Sequence, residues 1–140
     1  MFYTGYYANI KRMKKGKFRL VSISRTIPEW FQDEFIPEQN ITLAPDSFAE
    51  VELLRKQNNL AKTRYEYKIQ KMTDAIKERY NDNLDTIFLC HEKDSHQCHR
   101  MLFRNVLNAA GIPCKEIYFE KDGSYIFPEE EKQLSMEDML

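Results

Sequence analysis

The segment that decides the fold, residues 84–111, reads LDTIFLCHEKDSHQCHRMLFRNVLNAAG. Its apolar run, which begins at Thr86, is nearly continuous, as expected for a strand covered on both faces. A turn follows, and a helix is predicted to begin near Asp94, which forms a capping-box pattern with Gln97. Gly111 is expected to end that helix. The segment therefore predicts a buried strand, a turn and a helix, in that order.

The same alternation of strands and helices extends over the rest of the chain. Strands are predicted at residues 2–6, 18–24, 84–90 and 114–119, and helices at 7–15, 46–57, 60–80 and 94–110. Strands separated by helices imply an α/β fold: a mostly parallel sheet of about four strands in a three-layer, Rossmann-like arrangement. Residues 1–125 are predicted to form one domain, with an acidic tail at 126–140.

Composition and charge narrow the function classes. The 140 residues are 42% hydrophobic and 31% charged, as in ordinary globular domains. A net charge of −1 supplies no global field for nucleic acid, although basic residues cluster between Lys11 and Arg19. No segment resembles a membrane helix or a signal peptide. Three cysteines without a secretion signal favour a reducing cytoplasm.

Several polar side chains are expected at one edge of the sheet. In parallel sheets, ligands bind outside the carboxyl ends of the strands. Here three predicted strands end near Tyr6, Arg25 and Cys90. The sequence therefore predicts a pocket at this edge, with the following candidate walls: Tyr6, Asn9, Arg25, Cys90, Glu92, Cys98 and Arg100.

The first chemical interpretation of this edge is a metal site. Five of the six cysteine and histidine residues lie between Cys90 and His99, and four of them, Cys90, His91, Cys98 and His99, are acceptable zinc ligands. The spacing argues against it, because Cys90 and His91 are adjacent in a strand and should point to opposite faces. There is also no Cys-x-x-Cys pair. No metal and no cofactor are therefore predicted.

The second interpretation is a reactive or redox-active cysteine. Thiolates are favoured near positive charge and near helix N-termini. Cys90 ends a strand that faces the predicted helix start, and Cys98 lies in the first turns of that helix. A reversible disulfide between the two remains open, because sequence does not fix the distance between them.

The third interpretation is a pocket for an anionic or nucleotide-like small molecule. A helix start offers backbone N–H groups and the positive end of a dipole. Arg100 and Arg25 could hold a phosphate or a carboxylate through two parallel hydrogen bonds. Glu92 could orient a hydroxyl or act as a base. His99 and Asn9 would then have secondary binding roles.

The fourth interpretation is purely structural. Cys98 shares a helical stripe with apolar residues, and Cys90 could be a small buried residue at the end of a core strand. Glu92 and Arg100 could form an ion pair that ties the turn to the helix. Cys114 is expected in the core on the same grounds.

The residues also resemble a known family. Cys90-His-Glu-Lys93 followed by Cys98-His-Arg100 is similar to the Cys-x-Glu-Lys … Cys-His-Arg signature of the DUF488 proteins, a bacterial, archaeal and phage family of unknown function. Weaker similarities lie at Tyr7-Ala-Asn9, at Ile23-Ser-Arg25 and at Tyr65. The resemblance covers most of residues 3–119. This chain departs from the longer family members in having Ser24, not a hydrophobic residue, before Arg25, and no Asp ahead of it.

The resemblance implies a three-layer α/β fold and a pocket around Cys90, Glu92, Cys98, His99 and Arg100, with no established activity. Together with the arguments from the residues themselves, the resemblance predicts a small cytoplasmic protein that binds or acts on an anionic small molecule. Cys90, Glu92 and Cys98 are the catalytic candidates, and the candidate ligand-binding residues are Arg100, Arg25, His99, Asn9 and Tyr6. A non-catalytic sensing or interaction module is the alternative, followed by a cysteine-based redox or metal-binding protein. The sequence predicts no oligomeric state.

Overall fold

The computed structural model describes residues 1–13, 18–26, 38–91 and 99–128. The strands in these ranges are β1 (Phe2–Tyr6), β2 (Arg19–Ser22), β3 (Glu38–Gln39), β4 (Thr86–Cys90), β5 (Cys114–Phe119) and β6 (Tyr125–Ile126). The helices are α1 (Ile10–Met13), α2 (Phe48–Arg55), α3 (Asn59–Arg79) and α4 (His99–Ala109), with 3-10 turns at Tyr7–Asn9 and Ile41–Leu43.

These strands form one sheet in the order β3-β2-β4-β1-β5-β6. The first five run parallel to their neighbours, and β6 pairs antiparallel with β5. The predicted α/β class and the mostly parallel sheet are therefore confirmed. Two outer strands of two residues each, β3 and β6, are additional to the four predicted strands. Such short strands have too few residues to produce a readable alternation.

The strand of the opening segment lies inside the sheet. All five residues of β4 are buried, and β4 pairs with β1 on one side and β2 on the other. The register aligns Tyr6 with Cys90 and Ser22 with Leu89. The carboxyl ends of these three strands therefore meet at one edge, as the sequence predicted.

Helices cover both faces of the sheet. On one face, α3 and α4 pack against β2 and β4 through a cluster that includes Val21, Tyr65, Ile69, Phe88, Phe103 and Leu107. On the other face, α1 packs through Ile10 and Met13 onto Leu20, Ile87 and Leu89. Gly5 permits this second contact, because a Cβ atom there would lie 3.0 Å from Ile87 Cγ2 and 3.1 Å from Met13 Cε.

Side-chain caps define where the next two helices begin. Ser47 Oγ accepts a hydrogen bond from the backbone N–H of Glu50 at the start of α2, and Asn58 Oδ1 accepts one from Ala61 at the start of α3. Ser47 is therefore the N-cap residue of α2. These caps satisfy backbone donors that have no partner within the helix. Among the described residues, no helix is both long and apolar enough to cross a membrane.

Candidate functional site

A cavity of about 220 Å³ lies where β2 and β4 end, and α2 forms its outer wall. We call it the strand-end cavity. Its polar side includes Arg25, Cys90 and His99, whereas α2 contributes the apolar side chains of Phe48 and Leu54. Three of the residues predicted from sequence therefore line one cavity. Its volume suits a small ligand, because pockets for drug-sized molecules are usually larger.

His99, the first residue of α4, is held in a defined orientation. Its Nε2 lies 2.6 Å from the carbonyl oxygen of Ile23, just beyond the end of β2. Since a carbonyl oxygen can only accept, Nε2 carries the hydrogen in this contact. The ring of Tyr65 packs against the imidazole at a centroid distance of 5.3 Å. In the neutral ring, Nδ1 is then the atom that remains as an acceptor.

Burial keeps this imidazole neutral. Loss of hydration disfavours the charged form and lowers the pKa of His99 to about 4, and the positive charge of Arg100 acts in the same direction. The hydrogen bond to Ile23 acts in the opposite direction and is outweighed. His99 is therefore an uncharged base at neutral pH, with Nδ1 directed at Cys90.

Cys90 lies within reach of that base. Its Sγ is 3.6 Å from Nδ1 of His99, and the residue is buried at the end of β4. Cys90 is disulfide-bonded, whereas Cys114 is a free thiol. In this oxidised state the sulfur has no proton to transfer. After reduction, the Cys90 thiol could donate its proton to Nδ1.

Arg25 places a positive charge on the cavity wall. Its Nη1 donates to the carbonyl oxygens of Pro45 and Asp46, at 3.0 and 2.9 Å, and its guanidinium lies 5.5 Å from the centroid of the Phe48 ring. In the part of the chain that the structure describes, no carboxylate pairs with Arg25, and its buried Nε has no hydrogen-bond partner. Within the described residues, its charge is therefore oriented by neutral groups and is not neutralised.

Two further features of the cavity were not assigned from sequence. His91 Nε2 lies 2.7 Å from the carbonyl oxygen of Thr26, and this contact joins the ends of β4 and β2. Arg55 and Glu52, both on α2, form an ion pair of 3.1 Å with solvent-exposed side chains. The residues of α2 lie far from the cysteines in sequence, so no local pattern connects them to the site.

Arg100 occupies a different position. It is fully buried, and its Nε lies 3.1 and 3.0 Å from the two carboxylate oxygens of Glu116 on β5. Arg104 Nη1 donates to Thr4 Oγ1 at 2.9 Å, and Thr4 Oγ1 donates to Glu116 at 2.8 Å. We call Thr4, Arg100, Arg104 and Glu116 the buried ion cluster. It ties α4 to β1 and β5, and Arg100 is not among the described residues that line the cavity.

The remaining predicted site residues divide into two groups. Tyr6 lies beside Cys90 in the sheet, and Asn9 is buried with its Oδ1 accepting from Arg12 at 3.3 Å, but neither is among the described lining residues. Glu92 and Cys98 lie outside the described residues. A carboxylate that the sequence analysis missed is Glu116. The sequence feature that could have identified it is a charged residue at an inward-facing position of a strand that is otherwise largely apolar.

Among the described residues, no three His, Cys, Asp or Glu side chains are grouped closely enough to hold a metal ion. A scan of the chain against protein-family models finds no match, and no curated protein or solved structure is found to match it either. The similarity to the DUF488 proteins therefore rests on the residues quoted from the sequence.

Proposed function

We propose that the protein binds a small anionic molecule in the strand-end cavity and acts on it through Cys90. The ligand would carry a phosphate or a carboxylate, and nucleotide-like molecules belong to this class. We also propose that the sheet is Rossmann-like, because ligands of such sheets bind outside the carboxyl ends of the strands. We further propose that the protein is related to the DUF488 proteins and is cytoplasmic.

The orientation of Arg25 is the observation that carries the proposal. Two backbone carbonyls hold its guanidinium, so little side-chain freedom would be lost when an anion binds. The neighbouring wall is apolar at Phe48 and Leu54, and charges attract more strongly beside groups that exclude water. An anion held by Arg25 would lie in the same small cavity as Cys90.

The disulfide at Cys90 favours a second candidate, a cysteine-based redox protein. Disulfides in a reducing cytoplasm are usually transient, and they are formed and broken as part of catalysis or sensing. In this case, the protein would function by cycling between the oxidised and reduced states of Cys90, and the cavity would admit the redox partner. Both candidates use the same sulfur atom, and they differ in whether an anionic ligand is needed.

Anion binding tests the leading proposal directly. Adenosine monophosphate and adenosine form a matched pair of charged and neutral probes for isothermal titration, with inorganic phosphate as the smallest anion. We expect at least one of the two anions to bind and adenosine to bind more weakly. Arg25→Gln should weaken anion binding by about 10- to 100-fold, the value of a charge-assisted hydrogen bond.

Lys77→Gln is the control for net charge, because Lys77 is exposed on α3 and is not among the described residues that line the cavity. It should leave anion affinity nearly unchanged. Absence of anion binding by the unmodified protein would contradict the proposal, and so would equal losses in the two variants. Anion binding together with an unreactive Cys90 would instead identify a non-catalytic sensing module.

A further inference from the structure

We infer that Cys90 and His99 act as a nucleophile and its general base, and that Arg25 directs this pair toward electrophiles that carry an anionic group. The inference rests on the proposed function, because it uses the same cavity and the same arginine. It goes further by naming the base, the state in which the pair is active and the class of substrate.

The base is recognised by how its second nitrogen is held. In nucleophile–base pairs, the base lies within reach of the nucleophile and a third group orients it. Here the carbonyl oxygen of Ile23 takes that third role through the contact with Nε2 of His99. Tyr65 packs against the ring, and its own hydroxyl donates to the Leu43 carbonyl oxygen at 2.7 Å. The imidazole therefore presents only Nδ1 to the sulfur.

The surroundings of His99 determine when the proton moves. Among the described residues, the titratable and charged groups that face it are Cys90 and His91 at the end of β4, Tyr65 and Lys68 on α3, and Arg100 on α4. Burial and the three basic groups oppose protonation of the ring. The resting pair is therefore a thiol beside a neutral imidazole, and the proton passes to Nδ1 as the sulfur attacks.

The disulfide makes this pair inactive in the oxidised state. A dithiol reductant would supply two electrons to the S–S bond, release Cys90 as a thiol and itself become a disulfide. The thiol sulfur then forms a bond to the electrophilic atom of the substrate. The leaving group departs with the bonding electrons, and the thiol proton goes to Nδ1 of His99, from which the leaving group can take it.

Iodoacetate and iodoacetamide test the inference, because they alkylate thiols by the same displacement of iodide and differ in charge. The full-length protein is reduced with a phosphine, which is then removed, and alkylation is followed from pH 5 to pH 9. Mass spectrometry of peptides measures each cysteine separately. Cys114 is an internal control, since its burial raises the pKa of its thiol to about 12 and it should react slowly.

The expected pH profile differs from that of an ordinary thiol. A thiol with a pKa near 8.5 reacts about tenfold more slowly for each pH unit below that value. With His99 as the base, the rate constant of Cys90 should vary by less than about threefold between pH 5 and pH 7. The ratio of the iodoacetate rate to the iodoacetamide rate should exceed that of glutathione by about tenfold or more.

Two substitutions separate the base from the anion contact. Gln at position 99 can still donate to Ile23 but has no basic nitrogen, so His99→Gln should restore the tenfold dependence per pH unit and slow Cys90 by at least about tenfold at pH 6. Arg25→Gln should bring the ratio of the two reagents down to that of glutathione. Thermal unfolding of each variant checks that the fold is retained.

Each outcome tests a separate part of the inference, either the base, the substrate class or its dependence on the proposed function. An ordinary pH profile in the unmodified protein overturns the base assignment, and this measurement does not depend on any variant folding. Equal profiles in the unmodified protein and in His99→Gln overturn it as well. A reagent ratio like that of glutathione overturns the substrate class, even where titration shows that anions bind. A flat profile without anion binding would sustain the cysteine–histidine pair and contradict the proposed function.

Discussion

His99 and Arg100 are neighbours at the start of α4, yet their side chains enter two different environments. His99 lines the strand-end cavity, whereas Arg100 belongs to the buried ion cluster with Glu116. Successive residues of an α-helix are rotated by about 100°, so two adjacent side chains cannot face the same neighbour. Adjacent residues of one short sequence motif can therefore have different roles, one in the candidate site and one in stabilising the fold.

The charged groups of the two regions also have different partners. In the buried ion cluster, two guanidinium groups approach the Glu116 carboxylate, and the Thr4 hydroxyl bridges Arg104 and Glu116. The cavity instead holds the charge of Arg25 with two neutral carbonyl oxygens. Loss of a charged group should therefore affect folding in the cluster and binding in the cavity.

Glu116→Gln provides the largest expected effect. It removes the carboxylate that both arginines approach, and breaking a buried ion pair typically lowers the free energy of unfolding by about 3–5 kcal/mol. Urea unfolding measures the loss. Glu120→Gln, at an exposed position close by, should change stability by less than about 0.5 kcal/mol. Similar small losses in both variants would remove the distinction between the two regions.

The pH dependence of stability gives the next largest effect and comes from the cavity side. In the unfolded chain His99 has its ordinary pKa near 6.5, whereas burial in the folded state lowers its pKa to about 4. Between these values the unfolded chain binds more protons, so stability is present above pH 6.5 and is lost as the pH falls toward 4. The loss from this group should be about 3 kcal/mol.

Urea unfolding at pH 7, 5.5 and 4 isolates that contribution when the unmodified protein is compared with His99→Gln. The carboxylates titrate in both proteins, so the difference between them reports His99. We expect the difference to shrink as the pH falls. A constant difference over this range would mean that burial does not hold the imidazole neutral.

Tyr65→Phe should have the smallest effect and tests how the cavity is supported. The substitution keeps the ring beside His99 but removes the hydrogen bond to Leu43, so we expect a loss of about 1–2 kcal/mol in unfolding free energy. The pH profile of Cys90 alkylation should keep its flat form. Tyr67→Phe is the matched control, because Tyr67 is 58% exposed, and it should have little effect. A steep alkylation profile in Tyr65→Phe would show that its hydroxyl is needed to hold His99.

Much of the architecture was readable from local patterns. The bounds of β5 and β1 agree with the predicted strands at 114–119 and 2–6, and the long helix α3 was predicted within a residue at each end. These elements have a strong apolar periodicity, which depends only on neighbouring residues. The edge strands β3 and β6 were missed because two residues carry no period, and their pairing partners supply the stabilisation.

The candidate site was readable in part. Arg25 and Cys90 could be brought to one edge because the carboxyl ends of parallel strands meet there, whereas His99 was placed in the pocket by the resemblance to the DUF488 proteins. The wall formed by α2 could not, because its packing over that edge depends on contacts between elements far apart in sequence. Glu116 could not be paired with Arg100 either, since the two lie 16 residues apart on different elements.

The order of strands and helices, the parallel sheet and the edge at which polar residues gather all follow from the sequence, because periodicity and chain connectivity are local properties. The separate roles of His99 and Arg100 do not. They depend on how α4 is rotated about its axis, and that rotation is set by the burial of Phe103 and Leu107 against the sheet. The burial that holds His99 neutral beside Cys90 has the same origin, because only packing removes water from an imidazole.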